Sequence, residues 1–485
     1  MRTHVGIRRL LIVGATLIAA AALATAPVAA ASGGAASRGA GSAHTVQHDL
    51  KHVPAGKPKD AVFGCQLPGG PTDIFCYSPQ QMRTAYGVDK LIAKGFDGRG
   101  RTIVIIDAFQ SPTMVDDLAA FDAAFDLPDP VFRQVAPQGL TPFDPTDPNM
   151  VGWSGEIALD VEWSHAIAPG AKILLVLAKS NDDADILAAT KWAVDHNAGD
   201  VISQSFGESE DCVDPKIARD QHKVFQAAAR KGITLFASAG DEGSAQSSCD
   251  GNSWVKDASS PASDPLVTGV GGTELFAATD QLCFAADGTT IVPCPPQHPA
   301  PGTYDHEVVW DELDQDPVVG PLGGDVAGGG GLSNQFRRPD FQDGIQGIRS
   351  GVRGVPDVSY SGSINHGVIA AWNITDPDNG GFFIFGGTSA GSPQWAALAA
   401  IGDQMGHHRL GTINPSLYQL ASSRFFSNAL YHDITVGQNG VMEFNADSST
   451  VNIPGFTAKR GWDAASGLGS PRADRLIPAL VLLSH

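Results

Sequence analysis

The chain has 485 residues, 42% of them hydrophobic, with 56 glycines and 32 prolines. That composition describes a globular, loop-rich protein and excludes a disordered or fibrous one. Lysine and arginine number 32 against 52 aspartates and glutamates, a net charge of −20, which argues against a nucleic-acid partner and against anionic membranes.

Residues 1–31 read as a secretory signal. Arg2, Arg8 and Arg9 form its positive end, Leu10 to Ala24 its apolar core, and Val28-Ala29-Ala30-Ala31 offers small residues for cleavage. Pro27 and the many Gly and Ala residues weaken the run as a membrane span, and no later stretch reaches transmembrane length. The expected product is an exported, soluble, extracellular monomer, free of the membrane once the signal is removed. Losing three arginines takes its charge from −20 to −23.

Residues 32–76 lack apolar periodicity, most plainly over the Ala, Ser, Gly, His and Lys-rich stretch 32–60, and read as a mobile arm or short pro-region. The globular body is expected from 77 to 485, opening with Ser78 as N-cap and Pro79 as first helical residue. Six cysteines, at 65, 76, 212, 249, 283 and 294, show no metal-ligand spacing. Pairing of neighbours is expected: Cys65–Cys76, Cys212–Cys249 and Cys283–Cys294.

Strands and helices then alternate. Strands are expected at 101–107, 172–177, 201–206 and 234–239, and helices at 113–126, 182–197 and 214–231. Continuous apolar strands with helical crossovers mean a mostly parallel central sheet with helices on both faces, an α/β fold. In such sheets sites gather at the C-terminal strand ends. Residues 278–330 break the rhythm and read as a surface excursion, with a flexible glycine-rich loop at 323–324 and 328–331. Sheet-like segments resume at 355–359 and 367–371.

Three stretches carry chemistry. Trp153 to Trp163 is helical in pattern, with Glu156 and Asp160 at i and i+4 on one face beside Trp153, Leu159 and Trp163. Close carboxylates in a partly apolar site hold a proton in acid, as a general base requires; a solvated acidic face is the other reading. Asp241, in Ala237-Ser238-Ala239-Gly240-Asp241-Glu242-Gly243, follows a parallel strand and is either a turn former or a site residue. Gly386-Gly387-Thr388-Ser389-Ala390-Gly391-Ser392-Pro393 joins the apolar strand 381–385 to the helical run 394–401, with Pro393 suited to an early helical position. Ser389 there is either a nucleophile near a helix N-terminus or an ordinary N-cap serine.

Together these stretches resemble the sedolisin family, the serine-carboxyl peptidases. The matching residues are Gly387-Thr388-Ser389-Ala390, the Glu156 and Asp160 helix followed by Ala168-Pro169-Gly170-Ala171, and Ala239-Gly240-Asp241 with Gly243. Gly328 to Phe336 and Val355-Pro356-Asp357-Val358 also match, and the likeness runs from about Tyr77 to the end. The resemblance implies a subtilisin-like fold and a secreted, acid-active endopeptidase acting on proteins or peptides. It implies Ser389 as nucleophile, Glu156 as general base, Asp160 as its support and Asp241 as oxyanion donor. Ser203, Ser205 and Gly207, with Ser238, Ala239 and Gly240, would flank substrate as extended backbone.

Tyr431-His432-Asp433-Ile434-Thr435-Val436-Gly437 and Gly461-Trp462-Asp463-Ala464-Ala465-Ser466-Gly467-Leu468-Gly469 resemble the family's calcium site. One ion would take the carboxylates of Asp433 and Asp463 and the carbonyls of Ile434, Lys459 and Gly461. The usual large prosegment has no counterpart in residues 32–76.

Subtilisin chemistry competes, because Asp107 follows the first strand as that triad's aspartate would. It needs a histidine where Glu156 stands, and His165 lies beyond the expected turn. A glycosidase also uses paired carboxylates but has no need of Ser389 or Asp241. The remaining alternative is a catalytically silent peptide-binding protein on the same scaffold.

Overall fold

The computed structural model describes residues 47–48, 51–54, 63–66, 75–278, 283–284, 291–292, 299–313, 315–316, 320–321, 324–348, 351–374, 381–422 and 424–484. Its centre is a sheet of eight strands: β1 (Thr102–Ala108), β2 (Val131–Val135), β3 (Lys172–Ala178), β4 (Val201–Gln204), β5 (Thr234–Ser238), β6 (Thr268–Ala277), β7 (Tyr304–Val309) and β8 (Val358–Ser361). The order is β7-β6-β5-β4-β1-β3-β2, with β8 also paired to β6. All pairings are parallel except that of β7 with β6. The α/β architecture expected from the alternation, and the subtilisin-like fold that the resemblance implies, are the observed ones.

Alternation of side chains along β1 explains why both faces are covered. Ile103 and Ile105 enter one core, with Ile157, Leu159 and Leu398. Val104 and Ile106 enter the other, with Ile186, Ala189 and Phe225. A strand buried on both faces reads as one apolar run, as β1 does. The first core is built around α2 (Pro148–Ile167) and α5 (Thr388–Gly406), which pack along each other. The second lies under α3 (Asp183–Asp195) and α4 (Pro215–Arg230), after α1 (Met114–Phe125) has crossed from β1 to β2.

Helix starts follow their capping residues. Ser78 accepts from the Gln81 N–H while Gln81 Oε1 accepts from the Ser78 N–H, a reciprocal cap on the helix Pro79–Tyr86. Asp147 accepts from the Asn149 N–H and opens α2 ahead of Trp153, with Pro148 in its first turn. From Trp153 to Ile167 every residue of α2 is buried. Each fully buried leucine or isoleucine there contributes roughly 1.5–3 kcal/mol, which offsets the cost of carrying carboxyl groups inside.

Three expectations are corrected. The strand expected at 201–206 is broken at Ser205, and a separate strand runs from Phe206 to Ser209. The glycine-rich run from Gly328 to Gly331 is buried and bonded rather than a flexible surface loop: Gly328 donates to Trp310 O and Gly329 to Gly240 O. A Cβ at Gly328 would stand 2.5 Å from Gly272 O, so the close approach of two backbones requires glycine.

The third concerns residues 32–76. Where described, parts of this stretch belong to the body and precede the boundary placed at 77. Gln47–His48 pairs antiparallel with Phe206–Gly207. Lys51–Pro54 adds an antiparallel strand to Phe382–Gly386, in a second sheet completed by His366–Ala371 and Phe75–Tyr77.

Disulfides join Cys65 to Cys76 and Cys212 to Cys249, as expected. The expected Cys283–Cys294 pair and the signal at 1–31 lie outside the described residues. No described helix is long and apolar enough to cross a membrane.

Candidate active site

Ser389 lies in the first turn of α5, directly after the strand Phe382–Gly386. Gly387 makes the junction with φ 101°, a backbone state that side chains disfavour. The helix starts at Thr388, so Pro393 sits inside it rather than at its beginning. That correction has a consequence. Proline has no N–H to offer the carbonyl four residues back, which is that of Ser389. Ser205 Oγ lies 3.4 Å from this carbonyl and 2.8 Å from Asp160 Oδ1. Ser205, expected along the substrate, instead ties the acidic helix to the serine helix.

Glu156 and Asp160 are both fully buried on α2, one turn apart. Burial holds the Asp160 carboxyl well above the usual carboxylate range, against the opposing hydrogen bond from Ser205. Glu162, on the same helix, accepts from the Ala371 N–H at 2.8 Å and pins α2 to the neighbouring sheet. Ser389 Oγ is buried and has no hydrogen-bond partner among the described residues. A hydroxyl left in that state is held ready for a group from outside the fold.

Asp241 comes from the loop after β5. Its Oδ1 accepts from the Thr388 N–H at 2.7 Å and from Thr388 Oγ1 at 2.8 Å. The Gly240 N–H in turn donates to Thr388 Oγ1 at 3.2 Å. Asp241 is thereby fixed beside the residue preceding Ser389. Ser205 thus links the Asp160 carboxyl of α2 to the backbone of Ser389, and Asp241 is held at the start of the same serine helix, near where β4 and β5 end, the end of the sheet where sites are expected.

Two residues were missed as participants. Asp107, set aside as a subtilisin look-alike, is buried at the end of β1, with both oxygens lacking a partner among the described residues. Burial first, then the charge of Asp160, pushes its carboxyl well up. Thr388 was legible only as part of a motif; its hydroxyl turns out to organise Asp241. The strand-end position of Asp107 was a usable signal; nothing local marked Thr388.

The expected substrate backbone divides. Gly207 lies on the strand Phe206–Ser209, between Gln47–His48 on one side and Ser259–Ser260 on the other. Ser203 Oγ is 2.8 Å from Ser392 Oγ of α5 and faces the interior. Ser238 is buried in β5. The Ala239 N–H donates to Val270 O, and Gly240 O accepts from Gly329, so these groups are already engaged within the fold. His165 stands at 3.2 Å from Asp122 at the far end of α2, outside the cluster.

The loops expected to hold calcium meet. The Gly461 N–H donates to Asp433 Oδ1 at 2.9 Å, and the Lys459 N–H to Asp463 Oδ2 at 2.8 Å. Asp463 Oδ1 further accepts from Ala465 and Ser466. Burial raises both carboxyl groups above their ordinary values, a cost that a bound cation would relieve. The carbonyls of Ile434, Lys459 and Gly461 accept no backbone hydrogen bond among the described residues. Oxygen donors alone, carboxylate and carbonyl, suit a hard cation. No cluster of three His, Cys, Asp or Glu side chains competes with this set among the described residues.

Comparison with known proteins agrees with this fold. The model of the subtilase family matches residues 151–408, which span Glu156, Asp160, Asp241 and Ser389. Kumamolisin of Bacillus sp. (strain MN-32) is 32% identical over 416 residues, covering 84% of this chain and 64% of its own. Sedolisin of Pseudomonas sp. (strain 101) is 29% identical over 326 residues, covering 65% and 47%. The chain thus spans between about half and two thirds of the length of these relatives. Among solved structures, Pseudomonas sedolisin, a serine-carboxyl proteinase complexed with two molecules of pseudo-iodotyrostatin, superposes with a TM-score of 0.67 at 25% identity. It covers 85% of this chain and all of that one.

Proposed function

The chain belongs to the subtilase family and within it to the sedolisins, and from that premise we propose that it is a serine-carboxyl endopeptidase that cleaves proteins in acid outside the cell. Ser389 attacks the peptide carbonyl, and Glu156 takes its proton. Asp160 steadies Glu156 from the next turn. Asp241, protonated, donates to the oxyanion of the tetrahedral intermediate. The balance is closed: the serine proton passes by way of Glu156 to the leaving amine, and water then releases the acyl group by the reverse route.

The observation that carries this reading is the clasp of Asp241 on Thr388 beside Ser389. A subtilisin-type triad has no use for a carboxyl group at that point, whereas a donor to the developing oxyanion belongs beside the nucleophile. Burial of Asp160 and Asp107 favours protonated carboxyls, which suits work below neutral pH.

Internal cleavage, rather than trimming from one end, is favoured by how the chain's own segment lies. Gln47–His48 runs along Phe206–Gly207, and Lys51–Pro54 along the strand that leads into Ser389. Extended polypeptide is therefore accommodated on both strands by backbone pairing. Calcium, when bound, would neutralise Asp433 and Asp463 and fasten the two C-terminal loops, a structural task away from the reacting atoms.

Hydrolysis of an unfolded protein at acidic pH tests the proposal, with Ser389→Ala as control. Fragments with new internal termini from the unsubstituted chain alone are expected. Equal cleavage by Ser389→Ala, or none by either at any pH from 3 to 7, would overturn it; the latter outcome would favour the silent binding scaffold.

A further inference from the structure

Away from the catalytic groups, one depression gathers positive charge on a chain of net charge −20. It encloses about 350 Å³ between the end of the Pro79–Tyr86 helix and the start of α6 (Ala473–Leu483). Lys90, Arg472 and Arg475 line it, with Tyr86, Tyr304 and His432. Its two acidic residues are already turned to Lys90: Asp474 lies 3.3 Å from the ammonium, and Asp89 Oδ1 accepts from the Lys90 backbone N–H.

The arginines are differently placed. Arg472 Nε donates to Tyr431 O at 3.2 Å, and Arg475 Nη1 to Ala429 O at 3.4 Å. Both partners are neutral carbonyls, and neither guanidinium has a carboxylate partner among the described residues. Arg472 is also the N-cap residue of α6; its carbonyl accepts from the N–H groups of Arg475 and Leu476, which leaves those of Ala473 and Asp474 without an intrahelical acceptor. Beneath them the His432 ring lies 3.7 Å from that of Tyr304. His432 is only 6% exposed, and its Nδ1 is itself buried, with no hydrogen-bond partner among the described residues. The Tyr86 hydroxyl is spent on Glu307 at 2.7 Å. The depression thus offers an aromatic floor, guanidinium donors without a carboxylate partner among the described residues, and a helix N-terminus.

We propose that this depression binds a small tetrahedral oxyanion of the sulfate or phosphate class. Guanidinium forks match two oxygens of such an ion at once, and a helix N-terminus adds N–H donors. A carboxylate ligand is disfavoured because it loses its charge in acid, near its own pKa of about 4. Sulfate keeps both charges there. Binding ties α6 to the Pro79–Tyr86 helix, so it stabilises the folded chain by mass action.

Inorganic sulfate is the probe, since at pH 5 phosphate is mostly the monoanion whereas sulfate keeps both charges. The full chain carrying Ser389→Ala, which prevents self-digestion, is titrated calorimetrically at pH 5 with ionic strength held constant by chloride. One saturable site is expected, weakened at least tenfold by Arg475→Gln and abolished by Arg472→Gln with Arg475→Gln. Arg475→Gln removes only one long hydrogen bond, so its unliganded melting temperature should match the parent, and this variant decides the matter if the double variant does not fold. Absence of saturable binding, or an unchanged affinity in Arg475→Gln, overturns the proposal. The readout does not involve hydrolysis, so it stands or falls apart from the peptidase reading.

Discussion

Asp241, in the loop after β5, and Thr388, the first residue of α5, are 147 positions apart in sequence, yet one carboxyl oxygen of Asp241 receives both the N–H and the hydroxyl of Thr388. The clasp leaves the carboxyl group with one oxygen committed and sets it beside Ser389. To donate to an oxyanion it must carry a proton, so activity should fall as Asp241 ionises, while Glu156 must be ionised to act as base. The pH–rate profile should be a bell on the acid side of neutrality whose limbs belong to the coupled cluster. Asp241→Asn supplies an amide donor at every pH. It should lower kcat by up to about a hundredfold through imperfect geometry and move the alkaline limb up or flatten it. A mutant that keeps the parental alkaline limb shows that Asp241 is not the titrating donor.

Ser389→Ala and Glu156→Gln should each abolish hydrolysis with little change in melting temperature. Nucleophile and base act as a unit, so the double substitution should be scarcely worse than either alone. Multiplicative losses in the double variant would argue that Glu156 acts elsewhere.

Residues 47–48 and 51–54 pair with Phe206–Gly207 and Phe382–Gly386, edges that an extended substrate would share on the proposed reading and for which it would compete. A chain starting at residue 55 should therefore cleave a small peptide substrate with lower KM than the full-length chain. Unchanged KM, with the shortened chain shown to be folded by circular dichroism, would mean that this segment does not occlude the site.

Stability should be greatest in acid. Asp403 is buried in α5, accepts from the Leu410 N–H at 2.7 Å, and burial pushes its carboxyl up to about 8. A raised carboxyl pKa means that the folded state holds its proton while the unfolded chain releases it above about 4. That contribution is complete below pH 4 and is lost as pH rises toward 8. Asp107, Asp160 and Glu162 act in the same direction. With chelator present, the melting temperature should fall steadily from pH 4 to pH 8, and Asp403→Asn should lessen the slope. A flat profile in both proteins would contradict the burial argument.

Calcium should oppose that trend. Its carboxylate ligands must be ionised, and burial raises Asp433 and Asp463, so the metal's contribution should grow with pH above about 4. At pH 6, chelation should lower the melting temperature, and Asp463→Asn should abolish the difference. Identical melting with and without chelator would show these loops to be metal-free.

What the sequence determined by itself was local. Apolar runs such as Ile103 to Ile106 marked the strands of a sheet covered on both faces, and spacing alone put Glu156 and Asp160 on one side of a helix. The Ser78 cap with Pro79 after it was legible for the same reason, and the Cys65–Cys76 and Cys212–Cys249 disulfides as pairings of neighbouring cysteines. Tertiary structure decided the rest. Ser205, assigned to the substrate edge, bridges Asp160 and Ser389, because Pro393 lies within α5 and leaves that carbonyl unclaimed. Gly328 is buried against Gly272, though a glycine-rich run reads as loose chain until the opposing backbone is known. Residues 47–48 and 51–54, without apolar periodicity, are held by backbone pairing, which leaves no side-chain pattern to read. Periodicity records which face of an element is buried; only packing decides what it is buried against.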